Sequence, residues 1–207
     1  MKELLRKTNG GQKQANDLTA NATAAVYDSD SVTISGITGN LYTYTLPAAN
    51  GYNSRAQLYS VYSGLTLIPN RSDSIKDYVS MGWATSEPMY VESYSGLVTY
   101  TNYSANPDTY TNVDIKSNRH IYTANKVALY YNDTNGSAVP TQVSLNIIAN
   151  KKNKSGTEAY AESELAHTYT GTQTSFTMVI SWPPVIEFNY SPKESVINVP
   201  LGARFIQ

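Results

Sequence analysis

From Ser31 onward, apolar and polar residues alternate in short runs separated by turn residues. This two-residue period is that of strands with one buried face. Val32 and Ile34 alternate ahead of a turn at Gly39-Asn40, and Leu41–Leu46 (LYTYTL) is a β-rich run that stops at Pro47. Leu58–Ile68 is longer, with Gly64 inside it marking a bulge or bend. Met89–Tyr94 and Leu97–Tyr103 flank Ser95-Gly96, which predicts a hairpin. His120–Tyr131 and Val139–Ile148 flank the polar turn Asn132-Asp-Thr-Asn-Gly136. Leu165–Thr170 and Thr174–Trp182 flank Gly171-Thr-Gln, Pro183-Pro184 breaks the chain, and Val185–Tyr190 and Val196–Val199 close it. Ser74–Ser80 is the one stretch of this body that reads as a helical turn. About nine strands without intervening helices predict an all-β fold, a single β-sandwich over residues 31–207. Alternation places Val127, Leu129 and Tyr131, then Val143, Leu145 and Ile147, then Phe176, Met178, Ile180 and Trp182 in the core.

Residues 1–30 have a different character and read as an extended N-terminal arm. Lys2, Arg6, Lys7 and Lys13 against Glu3 give residues 1–16 a formal +3, so the rest carries −4 within the total of −1. Lys2–Lys7 suits a short helix stopped by Gly10-Gly11, too short to hold alone in water. Leu18, Ala20, Ala22, Ala24 and Val26 then fall on alternate positions, which predicts an extended strand with a narrow apolar face, or else a low-complexity linker. The arm is expected to contact another subunit, nucleic acid or lipid more than its own body. MKELLRKTNGG has a basic start but no apolar h-region, so it does not read as an intact signal peptide, and use without secretion is the expectation.

Composition sharpens the picture. Charged residues make up 15% of the chain, against about 25% in ordinary domains. Tyrosine replaces them: 18 Tyr against 3 Phe. Tyrosine serves in sheets but is also enriched at protein interfaces, where Lys and Glu are depleted. A surface built to pack against copies of itself is the functional reading. There are no cysteines, which excludes disulfides and thiolate metal sites.

Residues suited to chemistry are few. His120 and His167 each sit in a strand-like run, with no nucleophile elbow and no paired histidines at metal spacing. Asp28 with Asp30, Asp73 with Asp77, and Glu158, Glu162 and Glu164 could each attract a hard cation but read better as solvated charge. Asn132–Gly136 has the look of a calcium loop without its closing Glu, and reads as a hairpin turn. No phosphate-binding glycine loop is present. The expectation is therefore no enzyme, no cofactor and no metal. Asn-x-Ser/Thr sequons occur at Asn70, Asn102, Asn132, Asn135 and Asn153, and also at Asn21 and Asn189, where glycans are chemically possible.

The basic polar arm (MKELLRKTNGGQKQAN), the succession of strands and the cysteine-free, Tyr/Thr/Asn-rich composition resemble the single jelly-roll capsid proteins of icosahedral viruses, those of archaeal viruses above all. The resemblance implies a jelly roll, a virion location, a shell subunit with its arm inward, and partners that are other copies, other shell proteins and the shell's contents. A second resemblance is to extracellular filament subunits built by donor-strand exchange, in which Leu18–Val26 would be the donated strand. A third reading is a carbohydrate-binding sandwich in which Tyr42, Tyr44, Trp83 and Tyr100 form a stacking platform.

Overall fold

The computed structural model describes residues 26–49, 51–52, 54–67, 76–151, 158–168, 175–181, 185–191 and 196–206. The basic arm residues Lys2, Arg6, Lys7 and Lys13, the alternating Leu18, Ala20, Ala22 and Ala24, and Asp73, Asn70, Asn153 and Trp182 lie outside the described residues.

The described chain is built from β1 (Val26–Ile34), β2 (Ile37–Leu46), β3 (Ser54–Ser63), β4 (Lys76–Ala84), β5 (Tyr90–Asn102), β6 (Thr109–Asp114) and β7 (Arg119–Thr123). It continues with β8 (Lys126–Asn132), β9 (Val139–Lys151), β10 (Glu158–Thr168), β11 (Ser175–Ser181), β12 (Val185–Ser191) and β13 (Val196–Ile206). Helical structure among the described residues is confined to a 3-10 turn at Leu65–Leu67. One antiparallel sheet has the order β1-β2-β3-β9-β5-β6 and a second the order β13-β10-β4-β8-β7. The all-β sandwich is thus as expected.

Several details differ from the sequence reading, each for a physical reason. Ser95-Gly96 is not a hairpin: β5 runs through it, and Gly96 is there because a Cβ would collide with Leu129 and Ile115 of the core. His120–Tyr131 is two strands, divided at Ala124-Asn125. Ser74–Ser80 does not make a helical turn: Lys76–Ala84 is a strand buried on both faces, so its pattern has no alternation to read. Glu158, Glu162 and Glu164 belong to β10 rather than to a loop, because only the opposite face of that strand meets the core. The predicted arm boundary at residue 30 falls inside β1, whose first residue is Val26. Nor is the strand order that of a jelly roll, where the first and last strands pair within one sheet; β1 and β13 lie in different sheets. Instead β1, β2 and β3 run as a meander on one side of the first sheet, and β9, β5 and β6 complete it. Alternation reveals that a strand has a buried face, not which neighbour it takes.

The core between the sheets contains Leu41, Leu58, Val79, Met81, Trp83, Val127, Leu129, Tyr131, Val143, Leu145, Ile147, Leu165 and Phe205, all almost fully buried. Met178 and Ile180, also expected in a core, join a second cluster instead. The β11–β12 ribbon lays them, with Ile186 and Phe188, against Tyr78, Ala128 and Ala166 on the outer face of the five-stranded sheet. Gly82 of β4 leaves room for this layer: a Cβ there would run into Ile180 and Met178. Lys126 fixes it by donating from Nζ to the Met178 carbonyl at 2.7 Å. The molecule therefore has three layers.

A hydroxyl chain ties the two main sheets together. Tyr62 of β3 donates to Ser163 Oγ of β10 at 2.9 Å, and Ser163 donates on to the Ser80 carbonyl of β4 at 2.9 Å. Burial, the largest influence, holds the Tyr62 phenol well above its ordinary value. The folded state therefore keeps this proton when the unfolded chain releases it, and its stabilisation is fully present below pH ~10 and lost above it. Tyr62→Phe should cost about 1 kcal/mol at neutral pH and reduce the loss of stability above pH ~10. Urea denaturation of both proteins at pH 8 and at higher pH would check this; equal pH dependence would refute it.

Candidate functional site

The two flanks of the sandwich are finished differently. On one, β1 and β13 face each other from different sheets, and side chains replace the missing ladder. Asp30 Oδ2 accepts the Gly202 amide at 3.0 Å and Asp28 Oδ2 accepts the Arg204 amide at 2.9 Å. Thr43 Oγ1 contacts the Asp28 and Arg204 carbonyls. Asp28 and Asp30 are thus not loop charge, since they lie in β1 and satisfy backbone donors of an edge strand. Tyr27 adds a hydrogen bond to Glu158 at 3.0 Å.

The other flank carries β6 and β7, the opposite edges of the two sheets. All of β6 is exposed except Val113, which is half-buried. Its sequence, Thr109-Tyr-Thr-Asn-Val-Asp114, is strongly β-forming and uncharged until its last residue. Edge strands are ordinarily blunted by lysine, proline or a bulge, and β6 has none of these within it. Thr99 Oγ1 donates to Asn112 Oδ1 at 2.9 Å, which helps hold β6 extended on β5. Tyr103 and Tyr110 are 56% and 54% exposed, and Tyr122 on β7 is 49% exposed. Tyr122 packs on Tyr94 with ring centroids 5.2 Å apart, Arg119 lies over Tyr122 at 5.6 Å and Lys116 over Tyr94 at 5.7 Å.

A polar centre is buried at one end of the core. His167 of β10, Asp77 of β4 and Tyr131 of β8 fall on the interior faces of three adjacent strands, where Asp77 is the cross-strand partner of Tyr131. Asp133 follows in the β8–β9 turn. His167 Nδ1 lies 2.6 Å from Asp77 Oδ2 and 3.9 Å from Asp133 Oδ1. All four side chains are almost wholly buried. Tyr100, from the other sheet, donates to the Asn132 carbonyl at 2.8 Å, and its phenol is pushed up to about 12 by burial and by Asp77 and Asp133. Asp77 and Asp133 belong to two groups that the sequence reading passed over as solvated charge and as a hairpin turn. Nothing local in the sequence joins them, because strand register brings residues 77, 133 and 167 together.

His120 is exposed on β7 with its ring edge-on to Tyr78 at 5.0 Å. The proposed stacking platform does not form: Trp83 and Tyr100 are core residues, whereas Tyr42 and Tyr44 lie half-buried beside Tyr59. Apolar strands needed their largest rings inside, which their sequence cannot distinguish from display. Asn132 and Asn135 are exposed in the turn, and Asn102 Nδ2 donates to Ser137 Oγ at 3.0 Å. Val26 is exposed at the start of β1. An open depression beside Tyr52, Pro88 and Tyr90 has its charges matched, Lys151 with Glu87 at 2.8 Å and Arg55 with Glu92 through two bonds of 2.8 and 2.9 Å.

No protein-family model matches the chain, and no curated protein matches it. Among solved structures, one from a study of the pH-induced modulation of Streptococcus parasanguinis adhesion by Fap1 fimbriae is similar in shape, with a TM-score of 0.39 and 8% identity over 89% of this chain and 95% of that one. A likeness of that degree carries no functional argument.

The flank geometry makes a chemical prediction. Tetranitromethane attacks accessible phenolates, so Tyr103, Tyr110 and Tyr122 should be nitrated well before Tyr62 and Tyr131, whose phenols burial holds protonated. Peptide mass spectrometry after brief treatment would show the order; early nitration of Tyr62 would contradict the packing described.

Proposed function

We propose that this chain is a structural, self-assembling subunit with no catalytic role, and that copies join through the β6/β7 flank. The observation that carries the reading is the asymmetry of the flanks: one edge pair is sealed by aspartates, and the other presents an uncharged Thr-Tyr-Thr-Asn-Val strand rimmed by exposed tyrosines. An antiparallel second copy of β6 would satisfy the free backbone groups of both strands, and the tyrosines would bury apolar ring area while keeping their hydroxyls hydrogen-bonded. Against a catalytic role, His167 is 2% exposed, where a substrate would not reach it.

The assembly this reading favours is a closed shell, such as a virion capsid, with residues 1–25 available to neighbouring subunits or to nucleic acid or lipid within. Its support over a donor-strand filament is that Leu41, Leu58, Val79, Leu145 and Phe205 are fully buried by the chain's own strands, which leaves no strand-sized groove among the described residues. Either assembly would place the protein in a virion or on an extracellular surface.

Thr111→Lys combined with Tyr110→Lys puts a charge on each face of β6. Size-exclusion chromatography and negative-stain imaging should show assemblies for the unaltered chain and a monomer for the variant, with unchanged far-ultraviolet circular dichroism. Assembly of the variant to the same extent would rule out this flank as the interface, and threads instead of shells would decide for the filament.

A further inference from the structure

We propose that Asp77, Asp133 and His167 form a binding site for a divalent transition-metal ion of the Zn²⁺ or Mn²⁺ kind, independent of the assembly reading. The observation that starts it is convergence: one ligand atom from each of the three residues lies within 4.8 Å of the others, inside the sandwich. Imidazole nitrogen with carboxylate oxygens is a donor set that suits Zn²⁺ and its neighbours. Ca²⁺ fits less well, because it takes 6–8 oxygens.

The distances are close to those an ion would impose. With bonds of about 2.0–2.2 Å, a tetrahedral ion holds its ligands roughly 3.4 Å apart. His167 Nδ1 would withdraw from Asp77 Oδ2, now at 2.6 Å, and Asp133 Oδ1 would close in from 3.9 Å. Both are shifts of under about 1 Å, within the reach of a side-chain rotation. Asp133 sits in a turn and can move more freely than the two strand residues.

A second, independent feature points into the same place. Tyr131 is 1% exposed, yet its hydroxyl makes no hydrogen bond of good geometry. It stands beside Asp77, its cross-strand partner on the interior face. Buried tyrosines ordinarily find a partner for this group. An ion in the cluster, or a water on that ion, supplies one.

A divalent ion with a neutral imidazole matches the charge of the two carboxylates. Asp77 and His167 are on adjacent central strands, so the ion would staple β4 to β10, and through Asp133 the β8–β9 turn to both. The role is structural, since the site is closed to solvent.

The full-length protein, dialysed against EDTA and desalted, would be loaded with Zn²⁺ or Mn²⁺ and desalted again. Metal analysis should find about one ion per chain, and thermal unfolding should move to higher temperature than in EDTA. Asp133→Asn should bind at least tenfold more weakly while keeping the circular dichroism of the parent, because the turn is not part of the sheet ladder. His167→Gln is the second variant and should also lose the ion. Failure of the unaltered chain to retain either metal, with equal unfolding temperatures in EDTA and in metal, would overturn the site. So would an Asp133→Asn protein that binds at the parent's stoichiometry and affinity.

Discussion

The arrangement depends on β4 being buried on both faces. Asp77, Val79, Met81 and Trp83 point into the sandwich, while Tyr78, Ser80, Gly82 and Ala84 point the other way and are buried too. An antiparallel sheet ordinarily leaves one face to water, so a central strand with this composition requires a cover. The β11–β12 ribbon is that cover, and the small residues Gly82, Ala128 and Ala166 are what let it approach. Burial on both sides in turn makes every polar group near β4 find a partner inside. The Tyr62–Ser163–Ser80 chain and the pairing of Asp77 with His167 are consequences of that demand.

The sequence was most readable where one face of a strand is wet. The alternating runs around Val127 and Val143 placed their core residues correctly, because period two and burial coincide there. It was least readable where burial is two-sided, as in β4, or where a strand offers the core a single side chain, as β6 does with Val113. The first part of β10 was misread because its interior face alternates with Glu158, Glu162 and Glu164. The polar centre was invisible for a different reason: Asp77, Asp133 and His167 acquire meaning only through register between strands far apart in the chain. Gly64 shows the opposite case, a local signal read locally, since it takes a φ of 84° where β3 ends.

The contrast between the flanks links the fold to the assembly reading. An edge strand can be silenced by charge or by satisfying its amides from within. Asp28 and Asp30 do both for β13, and their spacing of two residues matches that of the amides of Gly202 and Arg204. Nothing comparable acts on β6 among the described residues. In the assembly proposed above, the tyrosines gathered there would supply ring area for burial and hydroxyls for register.

The aspartate seam also has a mechanical character. Asp30 engages Gly202 and Asp28 engages Arg204, so β1 and β13 run in opposite directions and the start of one lies beside the end of the other. Tension applied between Val26 and Ile206 would therefore load these bonds one after another, as in opening a zipper, instead of all together in shear. The seam would part at low force while the sheets behind it stayed whole, which gives the fold a place to yield without unfolding.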